Sequence, residues 1–209
     1  MKGIFKTQAA FVIIAAIAIF TLVGMASASG QQWRKAIHGE YAFTGTGACL
    51  FAITGFNDNF TPSGPSSGPG PNFWDGVVTF KKDGTGSTDA LQRYMDINNP
   101  QFPQGAAGLV HIKWKFTYTV DRGKITFTEI PATYYVEYVE GPQKGQSLSN
   151  FAFSDTYDGY ISADGKNLIV SFGVPTIITP VPPQPPELPP HLEVICSGTF
   201  QGFRTDWED

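Results

Sequence analysis

The chain has 209 residues, 42% of them hydrophobic and 14% aromatic, with a formal net charge of −4. Its basic and acidic residues are interspersed, and no basic cluster exists to track a phosphate backbone, which excludes nucleic acid as a partner on electrostatic grounds. With 23 glycines, 16 prolines and no helix-period segment after the N-terminal leader, the chain reads as all-β.

Lys2 and Lys6, the uncharged run Ala9–Val23 and the small-x-small site Ala26-Ser27-Ala28 stand in the order of a secretory signal peptide. Cleavage is expected between Ala28 and Ser29. The competing reading is an uncleaved anchor, but the apolar run is about 15 residues against the roughly 20 a spanning helix needs. Residues 1–28 are therefore assigned to the leader and 29–209 to one secreted or periplasmic domain, with no membrane span after cleavage. Losing the leader removes two lysines and no acid, so the exported chain is more acidic still.

Ser29–His38 is a polar lead-in. Glu40–Thr46 alternates, with Tyr41 and Phe43 on one side, and runs into the apolar stretch Gly47–Phe56 that carries Cys49. The other cysteine, Cys196, sits in a similar run, Leu192–Cys196, near the C-terminus. Two cysteines in an exported chain favour a disulfide, the alternative being two buried free thiols. A bond would tie the first strand to the last, and closing so long a loop stabilises by up to ~5 kcal/mol in the chain-entropy account.

Asn57–Asn72, with Pro62, Pro65, Pro69 and Pro71, reads as a mobile loop. Its Asn59-Phe60-Thr61 sequon is followed directly by Pro62 and is read as chance. Phe73–Phe80 and Thr85–Met95 form a hairpin about Asp83-Gly84, a pair suited to the positive φ of a tight turn. Asn98–Gly108 is a second loop. The clearest period follows: Val110, Ile112, Trp114, Phe116, Tyr118 and Val120 alternate with polar residues, as in a half-buried antiparallel strand. Strands are expected over Ile125–Ile130 and Ala132–Val139. Gln146–Ile161 is a less regular strand pattern, and Leu168–Val174 follows the turn Ala163–Asn167. Thr176–Pro190, with seven prolines, reads as an extended connector, and Leu192–Phe203 as the last strand.

About eight to ten strands with short turns suggest a single antiparallel up-and-down β-barrel, with a β-sandwich as the alternative. A disulfide between terminal strands favours the barrel, because an up-and-down sheet brings its ends together only by closing.

Chemical motifs are few. The sequence holds no Gly-x-Ser-x-Gly elbow, no His-Glu-x-x-His, no Cys-x-x-Cys and no phosphate loop. His111 falls on the polar face of its strand and reads as solvated. His38 and Glu40 share a face, a spacing that suits a metal or acid–base pair but is common by chance. Asp155, Asp158 and Asp164 lack a ligand pattern for a cation. No metal and no cofactor are expected.

The aromatic content is the positive hint. Trp114, Phe116, Tyr118, Phe127, Tyr134, Tyr138 and Phe172 fall on inward faces. They either fill a core or line a cavity that clasps an apolar or aromatic ligand.

Gly39-Glu40-Tyr41 at the first strand, the hairpins in series and Arg204 just beyond the last strand resemble the lipocalin and wider calycin group. In that group a Gly-x-Trp at the barrel start packs near a basic residue from the last strand and closes one end. The resemblance implies that closing role for Tyr41, in place of tryptophan, and for Arg204. Fold-level likeness leaves function open. The first expectation is an exported, non-enzymatic binder of a small apolar or aromatic molecule. The second is an interaction module that contacts a protein partner through its proline-rich loops. The third is a barrel-type isomerase or cyclase.

Overall fold

The computed structural model describes residues 37–97, 105–153, 156–172, 177–181 and 191–205. The expected leader with its expected Ala28/Ser29 cleavage site, Asp155 and most of the proline-rich connector lie outside them. The described residues form twelve strands, against the eight to ten expected: β1 Gly39–Ala52, β2 Ser66–Phe80, β3 Thr85–Asp96, β4 Ala106–Asp121, β5 Lys124–Glu129, β6 Tyr134–Glu140, β7 Ser147–Phe153, β8 Thr156–Ile161, β9 Asn167–Phe172, β10 Ile177–Ile178, β11 Pro180–Val181 and β12 Glu193–Arg204.

Every pairing is antiparallel, and eight strands close a ring in chain order, β1-β2-β3-β4-β5-β8-β9-β12 and back to β1. The first and last strands are neighbours, registered from Tyr41↔Arg204 to Ala52↔Glu193. Cys49 lies directly opposite Cys196, their Cα atoms 4.1 Å apart, and the disulfide spans a separation of 147 residues.

Two strands are shared along their length. β4 pairs with β6 over Leu109–Lys113 and with β5 over Phe116–Asp121. β12 likewise pairs with β9 over Gly198–Phe203 and with β10 at Val194 and Ile195. At the Cys49 end the sheet therefore runs β4-β6-β7-β11, and through Thr179 to β10 and β12. At the Tyr41 end it runs β4-β5-β8-β9-β12. At the fork in β4, Ile130 N–H donates to Lys115 O at 2.9 Å and Lys115 N–H to Thr133 Oγ1 at 3.1 Å, bridging the change of partner.

Three segments differ from expectation. Asn57–Asn72 is not one loop. Asn57 Oδ1 accepts from the N–H groups of Asn59 and Thr61, Glu193 Oε2 from Phe56 N–H, and β2 starts at Ser66. Pro71 is tolerated because the β2–β3 ladder ends at Asn72↔Tyr94, leaving it paired on the β1 side alone, and Pro69 falls in the register shift opposite Cys49–Phe51. Gln146–Ile161 is two strands, β7 against β6 and β8 against β5 and β9. Within Thr176–Pro190, two short pieces pair with the sheet as β10 and β11.

Alternation sorts side chains between the two faces of the ring. The main core fills the Tyr41 end. There the Phe80 ring meets those of Tyr41, Phe116, Tyr118 and Phe127 at centroid distances of 5.5, 5.5, 5.1 and 5.8 Å, with Val120, Ile125, Ile161 and Leu168 around them. A smaller cluster of Cys49, Ile178, Leu192 and Val194 stands at the other end.

Candidate ligand cavity

Between the two clusters lies a cavity of about 830 Å³. Its walls come from β1 to β10 and from β12, and eleven aromatic side chains line it. Phe116 and Phe127 belong to the core and also form the floor.

Four rings make a continuous arc beside the fork in β4. Trp114 stacks on Tyr134 at 5.4 Å and 12°, and Phe127 on Tyr157 at 5.2 Å and 21°. Trp114 Nε1–H donates to Tyr157 Oη at 3.1 Å and joins the two stacks. Across the cavity Trp74 packs on Phe200 at 5.1 Å, and Phe43 meets Phe200 edge to face at 5.6 Å. Phe200 has room because Gly45 lies beneath it: a Cβ on Gly45 would stand 2.3 Å from the ring.

Among the polar groups in the wall, those of Asn72 and Gln92 are paired with each other. Gln92 Nε2–H donates to Asn72 Oδ1 at 2.8 Å, and Asn72 Nδ2–H to Gly70 O at 3.2 Å. Among the described residues, no buried side-chain nitrogen or oxygen lacks a partner. Near Asp96 stand two phenols, Tyr94 and Tyr138. Burial, then the neighbouring Tyr138 and the Asp96 carboxylate, push the Tyr94 phenol up to about 12. Burial and then Asp96 also raise Tyr138. Both phenols are therefore neutral hydroxyls at physiological pH.

Of the residues expected at the site, Trp114, Phe116, Phe127, Tyr134 and Tyr138 line the cavity. Tyr118 does not. It sits below the floor in the core, where its hydroxyl donates to Lys81 O at 2.6 Å. The Phe172 side chain lies outside the described ones. Tyr41 is fully buried opposite Arg204, and its hydroxyl donates to Gly165 O at 2.6 Å. Sequence reasoning missed Phe43, Phe51, Trp74, Tyr94, Tyr157 and Phe200 as lining residues. Phe43 shares the parity of Tyr41, and Trp74 that of Phe80, so alternation carried the signal. Asn72 and Gln92 had none, because polar inward residues interrupt the pattern that reveals the face.

The other polar candidates lie elsewhere. His111 is on the outer face, 2.5 Å from Asp89, which Lys113 also meets at 3.0 Å. Burial would raise the Asp89 carboxyl, but the hydrogen bonds from His111 and Lys113 outweigh it and hold the group below its ordinary value. Asp158 pairs with Lys124 at 2.7 Å, and Asp164 caps its turn through Ser162 and Lys166. Among the described residues no three of His, Cys, Asp and Glu converge on a point, and no helix is long and apolar enough to cross a membrane. Comparison with protein-family models, with curated proteins and with solved structures gives no match to this chain.

Proposed function

We propose that this is an exported, lipocalin-like β-barrel that binds a small apolar or aromatic molecule in its interior. The observation that carries the reading is the aromatic cavity of about 830 Å³. A volume of roughly 300–1,000 Å³ is usual for a small-molecule site, and a filled core would leave none of it. The ring strands follow one another in chain order, as an up-and-down barrel requires. The disulfide between β1 and β12 agrees with an oxidising, secreted or periplasmic location. Arg93–Asp75 and Lys113–Asp89 on the outer face support a barrel surrounded by water, since a lipid-facing wall would be apolar at these positions.

Binding of a neutral apolar fluorophore to the purified protein tests this. Saturable enhancement with one probe per chain is expected. Emission that rises without saturation counts against the proposal.

Asp96 beside two protonated phenols favours one second reading, an isomerase or cyclase that orients an apolar substrate. Under that reading Asp96→Asn would abolish turnover of a bound substrate.

A further inference from the structure

The amide pair in the cavity wall has a fixed order. Asn72 is buried, and its side chain meets a backbone carbonyl, Gly70 O, at 3.2 Å. A carbonyl only accepts, so the atom turned to it is Nδ2, and Oδ1 is left to face Gln92. Gln92 Nε2–H donates to that oxygen at 2.8 Å. Neither amide can flip without setting two acceptors or two donors against each other.

The relay ends at Gln92 Oε1. Among the described residues this oxygen accepts no hydrogen bond, and no buried side-chain oxygen lacks a partner, so Oε1 opens onto the cavity that Gln92 lines. Its surroundings are apolar. Gln92 stands between Trp74 of β2 and Val110 of β4, two residues beyond the buried Ala90 on the same face of β3. Other polar groups of the wall are less demanding. Asp96 and Glu129 have partners of their own. The hydroxyls of Thr88, Tyr94 and Tyr138 turn to donate or accept as an occupant requires. Gln92 Oε1 can only accept, and the relay holds it in place.

An apolar molecule that displaces water from this wall covers the oxygen. The Gln92 nitrogen keeps its bond to Asn72, but the oxygen has none to keep, and an acceptor buried without a donor is disfavoured. A ligand that brings its own hydroxyl or N–H removes that cost.

Resting on the reading of this cavity as a ligand site, we infer that its ligand is an apolar or aromatic molecule bearing a hydrogen-bond donor, a hydroxyl or an N–H, set against Gln92 Oε1. The rings hold the apolar body, and Gln92 selects the polar group.

Two uncharged probes of similar size separate the possibilities: 2-naphthol, which can donate, and 2-methoxynaphthalene, which cannot. Each competes at neutral pH against a neutral fluorophore bound to the whole protein. The naphthol is expected to bind tighter by about tenfold, although the methyl ether is the more apolar molecule. In the double variant Asn72→Leu/Gln92→Met both amides are gone, and the ratio of naphthol to ether affinity should fall about tenfold. The ratio is the readout, so a general loss of affinity does not imitate the effect. A crystal of the parent protein with 2-naphthol gives a reading that needs no variant: the naphthol oxygen is expected within about 3.0 Å of Gln92 Oε1.

Ether binding equal to or tighter than the naphthol overturns the inference and leaves the ligand-binding proposal standing. A ratio that the double variant leaves unchanged, or a naphthol oxygen paired elsewhere in the crystal, also overturns it. If neither the fluorophore nor either probe binds, the ligand-binding proposal falls, and the inference with it.

Discussion

Removing one oxygen atom tests how the ring is closed. Tyr41 is fully buried, its ring set edge to face on Phe80 at 5.5 Å, and its hydroxyl donates to Gly165 O at 2.6 Å across 124 residues of chain. Gly165 lies in the turn between β8 and β9 and is itself buried, so no water replaces the lost donor. Tyr41→Phe keeps the ring and its contact with Phe80. It removes one hydrogen bond and leaves a buried carbonyl short of that donor, which costs about 1–3 kcal/mol. For a domain of this size each kcal/mol moves the midpoint by roughly 2–4 °C, so a loss of about 2 kcal/mol is a fall of roughly 4–8 °C. Tyr41→Ala also removes the ring and leaves a cavity, with an expected cost of about 3–5 kcal/mol. Thermal and urea unfolding followed by circular dichroism give both values. A Tyr41→Phe midpoint equal to that of the parent protein would refute the reasoning, because the hydroxyl would then contribute nothing as a clamp between β1 and the β8–β9 turn.

Other perturbations probe other parts. Replacing both Cys49 and Cys196 by alanine should cost about 2–4 kcal/mol, read as the loss of urea midpoint at constant slope; equal midpoints would mean that the β1–β12 ladder alone holds the ends. Gly45→Ala puts a Cβ 2.3 Å from the Phe200 ring and 2.8 Å from Thr199 O, so destabilisation of about 1–3 kcal/mol is expected, and a neutral change would show the ring free to move aside. Tyr94 titrates at about 12 instead of its ordinary 10.0. Its neutral form is favoured by the fold, so that contribution to stability is complete below pH 10 and is lost as pH rises through 12. Alkaline absorbance titration should show a late phase that Tyr94→Phe removes; a parent protein whose phenols all ionise near pH 10 while still folded would contradict the placement of Tyr94.

The sequence is most legible where residues alternate without interruption. Every apolar residue from Val110 to Val120 faces inward on β4, as the two-residue period requires. Periodicity assigns a face but no height along the ring. Trp114 and Tyr118 share a face, yet the first borders the cavity and the second lies in the core below it. That height depends on register, such as Tyr118↔Phe127, and register depends on contacts remote in sequence. Partner choice is hidden for the same reason. Gln146–Ile161 carries enough aromatics to read as one irregular strand, but its halves pair with different neighbours because β4 is shared by β5 and β6. The prolines of β2 misled through a general rule that applies to strands paired on both sides; at Pro71 β2 is paired on one, and Pro69 lies in a register shift. The two cysteines were informative because position along the chain alone made their pairing a statement about closure.

Where an apolar molecule sits is the most direct question to put to this protein. A crystal grown with a neutral bromonaphthalene would locate the bromine by its anomalous signal. The account predicts one bromine position inside the ring, in contact with the arc from Tyr134 through Trp114 to Tyr157. Bromine found on the outer surface alone, or an interior closed by side chains, would contradict it.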